Sequence, residues 1–323
     1  MVDERGGAMR RTTGFALLGV LCVLIGLGAA PVRPDLIRGA HAQDLTEHRL
    51  VHGGMERRYL LDVPRNAVQG AGRVPLVLVL HGGGGTAESA ARMTGFGRLA
   101  RREGFIVAYP EGTSRRDRMF TWNAGHCCGY AMRRRIDDIG FLGALIDRLV
   151  RDQAVDPDRV YVTGLSNGGM MAHWAGIGLS DQVAAIGPVI AGLFGDEPRP
   201  SSGVSAIIIN GALDESVPTE GGQSGGLFAK AWDGTPLKPA AYQGAFWAAA
   251  NGCDPAARNE SAPPKVSIWR HACPAGVEVV RVLVLDNGHA WPGGRRGSRV
   301  GDEPSRALNA TETLWAFFSR QRR

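Results

Sequence analysis

Apolar and polar positions from Arg58 onward predict a chain in which strands and helices alternate. Uniformly apolar segments such as Leu76-Val77-Leu78-Val79-Leu80 are typical of strands buried on both faces, and residues 136–152 repeat apolar positions at helical spacing. Strands are predicted at 58–63, 75–80, 105–109, 159–163, 184–190, 205–210 and 277–285, and helices at about 87–102, 136–152, from 167, near 238–251 and from about 303. This order indicates an α/β fold, a mostly parallel doubly wound sheet in a single domain.

The amino-acid composition is typical of a single globular domain. The 323 residues are 44% hydrophobic and 21% charged, and the 46 glycines and 18 prolines are scattered without a triplet period or repeat. Disordered, collagen-like and repeat architectures are therefore excluded. Residues 211–240 depart from the regular alternation because they are rich in glycine and have little periodicity. We interpret them as a loop excursion within the domain, which then spans 43–323.

The positive charge of the chain gives little reason to expect a nucleic-acid partner. The formal net charge is +6, but residues 1–42 hold five Arg against three acidic residues, which leaves a small excess elsewhere. Arg133, Arg134 and Arg135 form the one internal triple, without interleaved aromatic residues or a DNA-binding spacing. A solvated surface is the simpler interpretation, and no nucleic acid is expected to bind.

The N-terminal segment has the pattern of a secretory signal peptide. Residues 14–30 are uncharged and apolar, follow Arg10 and Arg11, and precede Ala40-His41-Ala42, a small-residue cleavage site. The pattern assigns residues 1–42 to the signal, with cleavage after Ala30 left open, and predicts a secreted or periplasmic protein. An uncleaved membrane anchor is the alternative, and it is the one case in which membrane association is expected.

Four cysteines lie outside that segment, an even number that suits an oxidising compartment and allows three pairings. We favour a Cys253–Cys273 disulfide, because both residues lie in one irregular stretch. Cys127 and Cys128 are neighbours, and either a vicinal disulfide or two buried thiols fits them. Neither pair has the spacing of a zinc site, so no metal is expected.

A candidate nucleophile lies in Gly164-Leu165-Ser166-Asn167-Gly168, between a predicted strand and a predicted helix. This context is typical of a sharp turn that exposes the Ser166 hydroxyl near a helix N-terminus. Side chains two positions before and after the serine would collide with the neighbouring strand and helix, which accounts for Gly164 and Gly168. The motif predicts a catalytic serine.

The order expected in such a fold is serine, then an acid, then a histidine. His289 follows the last predicted strand in a turn-rich loop and is the candidate base; His271, beside Cys273, is interpreted as structural. Asp214 follows strand 205–210 and is the candidate acid, with the adjacent Glu215 as its rival. Asp214 would hold the imidazole in one tautomer and stabilise the imidazolium.

His81-Gly82-Gly83-Gly84-Gly85-Thr86 closes another predicted strand. Glycines allow backbone N–H groups to approach a substrate oxygen, so Gly83 or Gly84, together with the N–H of Asn167, is expected to form an oxyanion hole. A phosphate cradle is the other use of such a loop, but neither the P-loop nor the dinucleotide-binding pattern is present. No cofactor is expected.

Several motifs together resemble the secreted esterases that include feruloyl esterases and polyhydroxybutyrate depolymerases, in the α/β-hydrolase fold. They are residues 81–86, Trp122-Asn123-Ala124-Gly125 with Cys127-Cys128-Gly129, 137–141, 164–171 and 288–293. The resemblance implies metal-free hydrolysis of carboxylic esters (aryl esters, polyesters or acylated polysaccharides) by Ser166, Asp214 and His289. Trp122 and Trp291 are expected to line the substrate pocket, since flat aromatic walls suit such groups, although Trp291 also fits a packing role.

Three alternatives stay open at this point. Acetylxylan esterases and general short-chain carboxylesterases share these motifs, and a serine peptidase of this fold would share the triad. A polymer- or carbohydrate-binding protein on the same scaffold would keep the fold without the chemistry.

Overall fold

A ten-stranded sheet runs through the part of the chain that the computed structural model describes, which comprises residues 45–69, 72–225, 229–297 and 301–323. The predicted signal peptide at 1–42 lies outside these residues. No helix in the described ranges has the length and apolar character needed to cross a bilayer.

The strands are β1 (Leu45–His52), β2 (Met55–Asp62), β3 (Val74–Leu80), β4 (Ile106–Pro110), β5 (Val155–Leu165), β6 (Ala185–Val189), β7 (Ser205–Gly211), β8 (Ala257–Glu260), β9 (Val266–His271) and β10 (Val279–Val284). The helices are α1 (Arg65–Gln69), α2 (Ala87–Thr94), α3 (Phe96–Glu103), α4 (Gly129–Arg133), α5 (Asp138–Asp152), α6 (Asn167–Gly178), α7 (Ala240–Ala250) and α8 (Ala310–Phe318), with a 3-10 turn at Ala229–Ala231.

The centre of the sheet is parallel and both of its ends are antiparallel. The strand order is β1-β2-β4-β3-β5-β6-β7-β10-β9-β8, in which the run from β4 to β10 is parallel and the other pairs are antiparallel. This confirms the predicted mostly parallel α/β sheet. The carboxyl ends of β3, β5, β7 and β10 therefore face the same edge, where sheets of this kind bind their ligands.

Side chains of β3 alternate between two buried layers, because successive residues of a strand point to opposite faces. Leu76, Leu78 and Leu80 pack in the layer that contains α5, α6 and α7 residues. Val77 and Val79 pack in the layer formed with α2, α3 and α8. Both faces of the sheet are therefore covered, which explains why the strand is apolar at every position.

Several elements differ from the sequence prediction, and the short helices α1 and α4 and the strand β9 were not predicted. The helix expected at 87–102 is two helices, because Gly95 takes a left-handed φ of 71° and ends α2 by donating its N–H to the carbonyl of Ala91. The strands β1 and β8 were not predicted, since both have polar, exposed positions at an edge of the sheet. The terminal helix begins at Ala310 rather than near 303.

The Gly-rich excursion (residues 211–240, of which 226–228 are not described) folds back on the domain. Gly222 and Leu237 exchange backbone hydrogen bonds of 2.9 and 2.8 Å. Val217 and Leu237 are buried in a small apolar cluster with Cys127 and other residues from outside the excursion. The excursion therefore forms part of the domain's packed surface.

Two disulfides are present in the described residues, Cys253–Cys273 and Cys127–Cys128. The first joins the segment after α7 to the segment after β9 and is the pairing favoured from the sequence. The second is the vicinal alternative considered from the sequence.

We expect the double variant Cys253→Ser/Cys273→Ser to unfold more easily than the wild-type protein. Closing a loop with a sequence separation of 20 residues lowers the entropy of the unfolded chain, which corresponds to about 3 kcal/mol of unfolding free energy. Denaturant titration of the wild-type protein and the double variant measures this difference in unfolding free energy. Serine substitution is preferred to a reducing agent because a reductant would also open Cys127–Cys128. An unchanged midpoint would show that the bridge adds no stability.

Candidate active site

Ser166 occupies the turn between β5 and α6. Its φ of 55° is in the left-handed region, which is uncommon for a residue other than glycine, asparagine or aspartate. Two hydrogen bonds hold this backbone, from Ser166 N to the Val189 carbonyl at 2.9 Å and from Met170 N to the Ser166 carbonyl at 2.8 Å. The strained turn directs the hydroxyl away from the sheet and into a pocket.

The two glycines of the motif are required by close backbone contacts. A Cβ at Gly164 would lie 2.5 Å from the Gly168 carbonyl, and a Cβ at Gly168 would lie 2.5 Å from the Leu80 carbonyl. Both separations are far below van der Waals contact, so any larger residue would displace α6 or β3. The structure thus gives the steric reason predicted from the sequence.

His289 lies between Ser166 and Asp214. Its Nε2 is 2.9 Å from the Ser166 Oγ, and its Nδ1 is 2.8 Å from Asp214 Oδ2 and 3.0 Å from Oδ1. Because a carboxylate only accepts hydrogen bonds, the Nδ1 must carry the proton. The lone pair of Nε2 then accepts the Ser166 hydroxyl proton, which is the arrangement a general base needs.

Asp214 is held by backbone donors at the end of β7. Its side chain is 1% exposed, and its Oδ1 accepts hydrogen bonds from the N–H groups of Ser216 and Val217 at 2.8 and 2.9 Å. These donors fix the carboxylate and leave Oδ2 directed at His289. The rival acid, Glu215, is exposed, and the imidazole contacts Asp214 instead.

The loop that carries His289 is fixed by residues that the sequence analysis missed. The fully buried Asn287 donates to the carbonyls of Gly288 and Ala290 and accepts from the N–H of Ser305. The Asp302 carboxylate accepts the backbone N–H of His289. The Asn-Gly dipeptide before the histidine was a turn signal in the sequence, but the partners Asp302 and Ser305 lie too far along the chain to be recognised.

The Asp214 and His289 loops also contact each other directly. The N–H of Leu213 donates to the Asn287 carbonyl at 3.0 Å. A Cβ at Gly211 would collide with this same carbonyl and with the Gly288 carbonyl. Gly211 therefore permits the close approach that brings the acid within reach of the base.

Of the two glycines considered for the oxyanion hole, the geometry favours Gly83. The N–H of Gly84 already donates to the Phe120 carbonyl at 2.8 Å. Gly83 lies against Asn167, where an added Cβ would be 3.7 Å from the Asn167 Cβ, and both residues line the pocket with Ser166. The N–H groups of Gly83 and Asn167 are thus the candidate donors to a developing oxyanion.

Trp122 holds the oxyanion loop from behind and does not line the pocket, contrary to the sequence prediction. It is fully buried, and its indole N–H donates to the His81 carbonyl at 3.0 Å. Its backbone exchanges hydrogen bonds of 2.7 and 3.0 Å with the Asn167 side chain. Trp122 therefore links the loop after β3 to the start of α6, the two segments that carry the candidate oxyanion donors.

His81 anchors the same loop as a neutral imidazole. It accepts the N–H of Gly112 at Nε2, so its Nδ1 carries the proton and donates to the Gly82 carbonyl at 2.8 Å. Complete burial lowers the pKa of His81 to about 4. His81 therefore braces the Gly-rich loop from its first residue.

Trp291 is also fully buried, so the prediction that it lines the pocket is wrong in this structure. Its indole N–H donates to the Thr311 hydroxyl at 3.0 Å, and its ring meets Phe96 edge to face. These contacts fasten the His289 loop to α8 and α3. Trp291 therefore has the packing role that was the alternative from the sequence, and it positions the His289 loop.

The pocket beside Ser166 has a volume of about 410 Å³. Met119, Tyr130 and Trp232 give it apolar walls, and Cys128 of the vicinal disulfide also faces it. Trp232 belongs to the Gly-rich excursion, which supplies one wall. The remaining lining residues are Gly82, Gly83, Gly84, Arg115, Arg116, Arg118, Thr121, Gly129, Arg133, Leu165, Ser166, Asn167, Ser216, Val217, Ser224, Ala231 and His289.

His271, which the sequence analysis interpreted as structural, can also be located. His271 is nearly buried and donates from Nδ1 to the Asp254 carbonyl at 2.8 Å, a structural contact away from Ser166. Within the described ranges, no group of three or more His, Cys, Asp or Glu side chains is arranged to hold a metal ion.

Comparisons with known proteins agree with this site. Residues 58–218 match the sequence profile of the family described as esterase PHB depolymerase. The inferred esterase NocK of Nocardia uniformis subsp. tsuyamanensis is 32% identical over 262 residues, 77% of this chain and 74% of that protein. Feruloyl esterase B of Piromyces equi is 28% identical over 69% of this chain, which spans 41% of that protein's length.

Among solved structures, an acetyl xylan esterase from Aspergillus awamori superposes with a TM-score of 0.56, over 85% of this chain and 99% of that one. The sequence identity is 14%, so this similarity supports the α/β-hydrolase fold alone. The family match goes further than the fold, because residues 58–218 include the segments that carry Ser166 and Asp214. The chain belongs to the PHB depolymerase family of esterases and is a carboxylic ester hydrolase.

Proposed function

We propose that this protein is an exported serine esterase that works through an acyl-enzyme. The observation that carries the proposal is the position of His289, whose two ring nitrogens lie 2.9 Å from the Ser166 hydroxyl and 2.8 Å from the Asp214 carboxylate. Ser166 attacks the ester carbonyl while His289 accepts its proton, and the imidazolium then protonates the leaving alcohol. Water, activated by His289, releases the acid and restores Ser166.

Each remaining part of the site has a role in this reaction. Asp214 stabilises the imidazolium and fixes its tautomer. The N–H groups of Gly83 and Asn167 stabilise the oxyanion of the tetrahedral intermediates, and the α6 N-terminus adds a favourable dipole. No step requires a metal or a cofactor.

The proposed substrates are esters with an acyl or alcohol part larger than acetyl, of the feruloyl or hydroxyalkanoate type. An acetyl group would leave most of the 410 Å³ pocket empty, whereas an aryl or short polyester chain can contact Met119, Tyr130 and Trp232. Acetylxylan or general short-chain ester hydrolysis is the second candidate, because the pocket is open to solvent beside an exposed loop at 115–119.

Export is supported by the two disulfides, since such bonds persist mainly outside the reducing cytosol. The apolar segment 14–30 that follows Arg10 and Arg11 is the proposed signal.

A hydrolysis panel tests the proposal. Methyl ferulate, 3-hydroxybutyrate oligomers, acetylated xylan, 4-nitrophenyl butyrate and the matching 4-nitroanilide are compared. We expect turnover of the esters but not of the anilide, highest for ferulate or hydroxybutyrate esters, and a rapid burst of nitrophenol equal to the enzyme concentration if deacylation limits the rate. Absence of hydrolysis of every ester would favour a binding protein, and equal cleavage of the anilide would favour a peptidase.

A further inference from the structure

Four exposed arginines line the pocket, and we infer from them that the enzyme prefers esters that carry a carboxylate. Arg115, Arg116, Arg118 and Arg133 (the arginine rim) all line the pocket that contains Ser166. No Asp or Glu is among the described residues that line it. This inference rests on the proposed function and concerns the substrate of the same site.

The rim is not neutralised by the protein itself. Elsewhere in the chain, arginines pair with carboxylates, as Arg270 does with Glu260 and Glu278. Within the described ranges no carboxylate forms an ion pair with any member of the rim. Asp117 falls between Arg116 and Arg118 in sequence but is not a lining residue. The guanidinium groups are thus available to an anionic ligand.

The rim is built on two segments that the fold fixes near Ser166. The Ser114 hydroxyl accepts hydrogen bonds from the backbone N–H groups of Arg116 and Arg118 at 3.2 and 3.0 Å. These bonds close the turn that carries three of the four arginines. Thr113 and Thr121 exchange two backbone hydrogen bonds of 2.9 Å at the base of this turn. Arg133 comes from the end of α4, which begins after the vicinal disulfide.

The turn is also joined to the oxyanion loop. The Phe120 carbonyl accepts the N–H of Gly84, so the segment that follows the rim is hydrogen-bonded to the residue beside the candidate oxyanion donor Gly83. The backbone of this turn therefore has a defined position relative to Gly83, and its exposed arginine side chains line the pocket. The arginine side chains can therefore contact a carboxylate of the bound substrate, in addition to attracting the substrate during association.

Guanidinium groups suit carboxylates because their planar N–H donors match the two carboxylate oxygens. A cleft lined by one sign of charge also raises the association rate of oppositely charged ligands, an effect that salt weakens. Two kinds of substrate offer this chemistry: a hydroxyalkanoate oligomer with its free acid end, and an acylated uronic acid. Both place a carboxylate within a few bonds of the ester, and the test separates them.

The experiment compares each acid with its neutral carboxamide. The substrates are the linear 3-hydroxybutyrate trimer and its terminal carboxamide, and an acetylated methyl glucuronide and its uronamide. For at least one of the two acids we expect a kcat/KM about tenfold above that of its amide at about 20 mM ionic strength, with a ratio that approaches one in about 0.5 M salt. The pair with the larger ratio identifies the source of the carboxylate.

Variants then assign the preference to the rim. Arg116→Gln/Arg133→Gln removes one arginine from each segment and is expected to lower the acid-to-amide ratio at least threefold at low salt. The matched control is Arg65→Gln/Arg258→Gln, which removes the same charge at two exposed positions that do not line the pocket, and it should keep the wild-type ratio.

Equal kcat/KM for both acids and their amides, or a preference that survives in the rim variant, would overturn the inference. Hydrolysis of 4-nitrophenyl butyrate is measured in parallel. If it continues while no acid is preferred, the carboxylate proposal fails and the esterase assignment stands. If 4-nitrophenyl butyrate is not hydrolysed either, the proposed function itself fails.

Discussion

Replacing Ser166 with alanine is expected to lower kcat for ester hydrolysis by about 10⁵-fold. The Ser166 hydroxyl lies 2.9 Å from His289 Nε2, which accepts its proton, so without it no acyl-enzyme can form. The oxyanion donors and the binding surface stay in place and account for the residual rate. Initial rates with 4-nitrophenyl butyrate measure the loss, and the nitrophenol burst should disappear.

Substitutions at Asp214 and at its neighbour Glu215 distinguish the loss of a catalytic group from a general disturbance of the active site. Asp214→Asn is expected to lower kcat by about 10⁴-fold, because an amide can donate to His289 and favour the wrong tautomer. Glu215→Gln changes the neighbouring exposed carboxylate in the same way and should leave kcat close to the wild-type value. Thermal melts verify that each variant is folded. Turnover by Ser166→Ala above about 1% of the wild-type rate would mean that another nucleophile does the chemistry.

The positions of Ser166, Asp214 and His289 could be predicted because each follows a strongly apolar strand. Parallel strands have their carboxyl ends at the same edge of the sheet. Residues that directly follow β5, β7 and β10 are therefore expected to lie close to one another. The edge strands β1 and β8 were missed for the opposite reason. Their residues are mostly exposed or half-exposed, and the apolar alternation that identifies a buried strand is therefore weak.

Side-chain direction in loops was the part that the sequence did not determine. Trp122 and Trp291 adjoin the recognised motifs, which suggested a place in the pocket, but both indoles point inward to hydrogen-bond acceptors in the core. Arg133, in contrast, lines the pocket although the sequence did not predict it there. From its neighbours in sequence it resembled an ordinary solvated residue, and only folding brings it to the same opening as Arg115, Arg116 and Arg118.

Acid is expected to destabilise the fold through two buried histidines, between about pH 6.5 and pH 4. Burial lowers the pKa of both His81 and His173 from 6.5 to about 4. Within that range the unfolded chain binds more protons than the folded one, so the unfolding free energy decreases as the pH falls. Each histidine contributes on the order of 3 kcal/mol, which is fully present above pH 6.5 and lost below pH 4.

His126 acts in the opposite direction and does not cancel this effect. Burial opposes its charge, but hydrogen bonds to Asp196 and Asp233 outweigh burial and raise its pKa. Its stabilising contribution is therefore complete below pH 6.5 and is lost as the pH rises through the raised pKa. Most of the change due to His126 thus falls above the window in which His81 and His173 titrate.

His173 offers the clearest test, because its partners are uncharged. It accepts the indole N–H of Trp247 at Nδ1, at 2.9 Å, and donates from Nε2 to Gln243, at 2.8 Å. We expect His173→Asn to lower stability at pH 7 by about 1–3 kcal/mol through the lost hydrogen bonding. Its stability should also fall less steeply than that of the wild-type protein between pH 6.5 and 4.5, since one of the two titrating groups is gone. Urea titrations at several pH values measure both quantities.

Trp247→Phe is the matched control for this experiment. It removes the same hydrogen bond from the other side and leaves the imidazole buried, so it should lower stability at every pH and keep most of the wild-type pH dependence. A His173→Asn protein with an unchanged pH dependence would show that His173 does not resist protonation in the folded state. The acid sensitivity would then have to come from His81 or from carboxylates, and the latter act mainly at lower pH: a hydrogen bond from Arg58, for example, lowers the pKa of Glu88 to about 2.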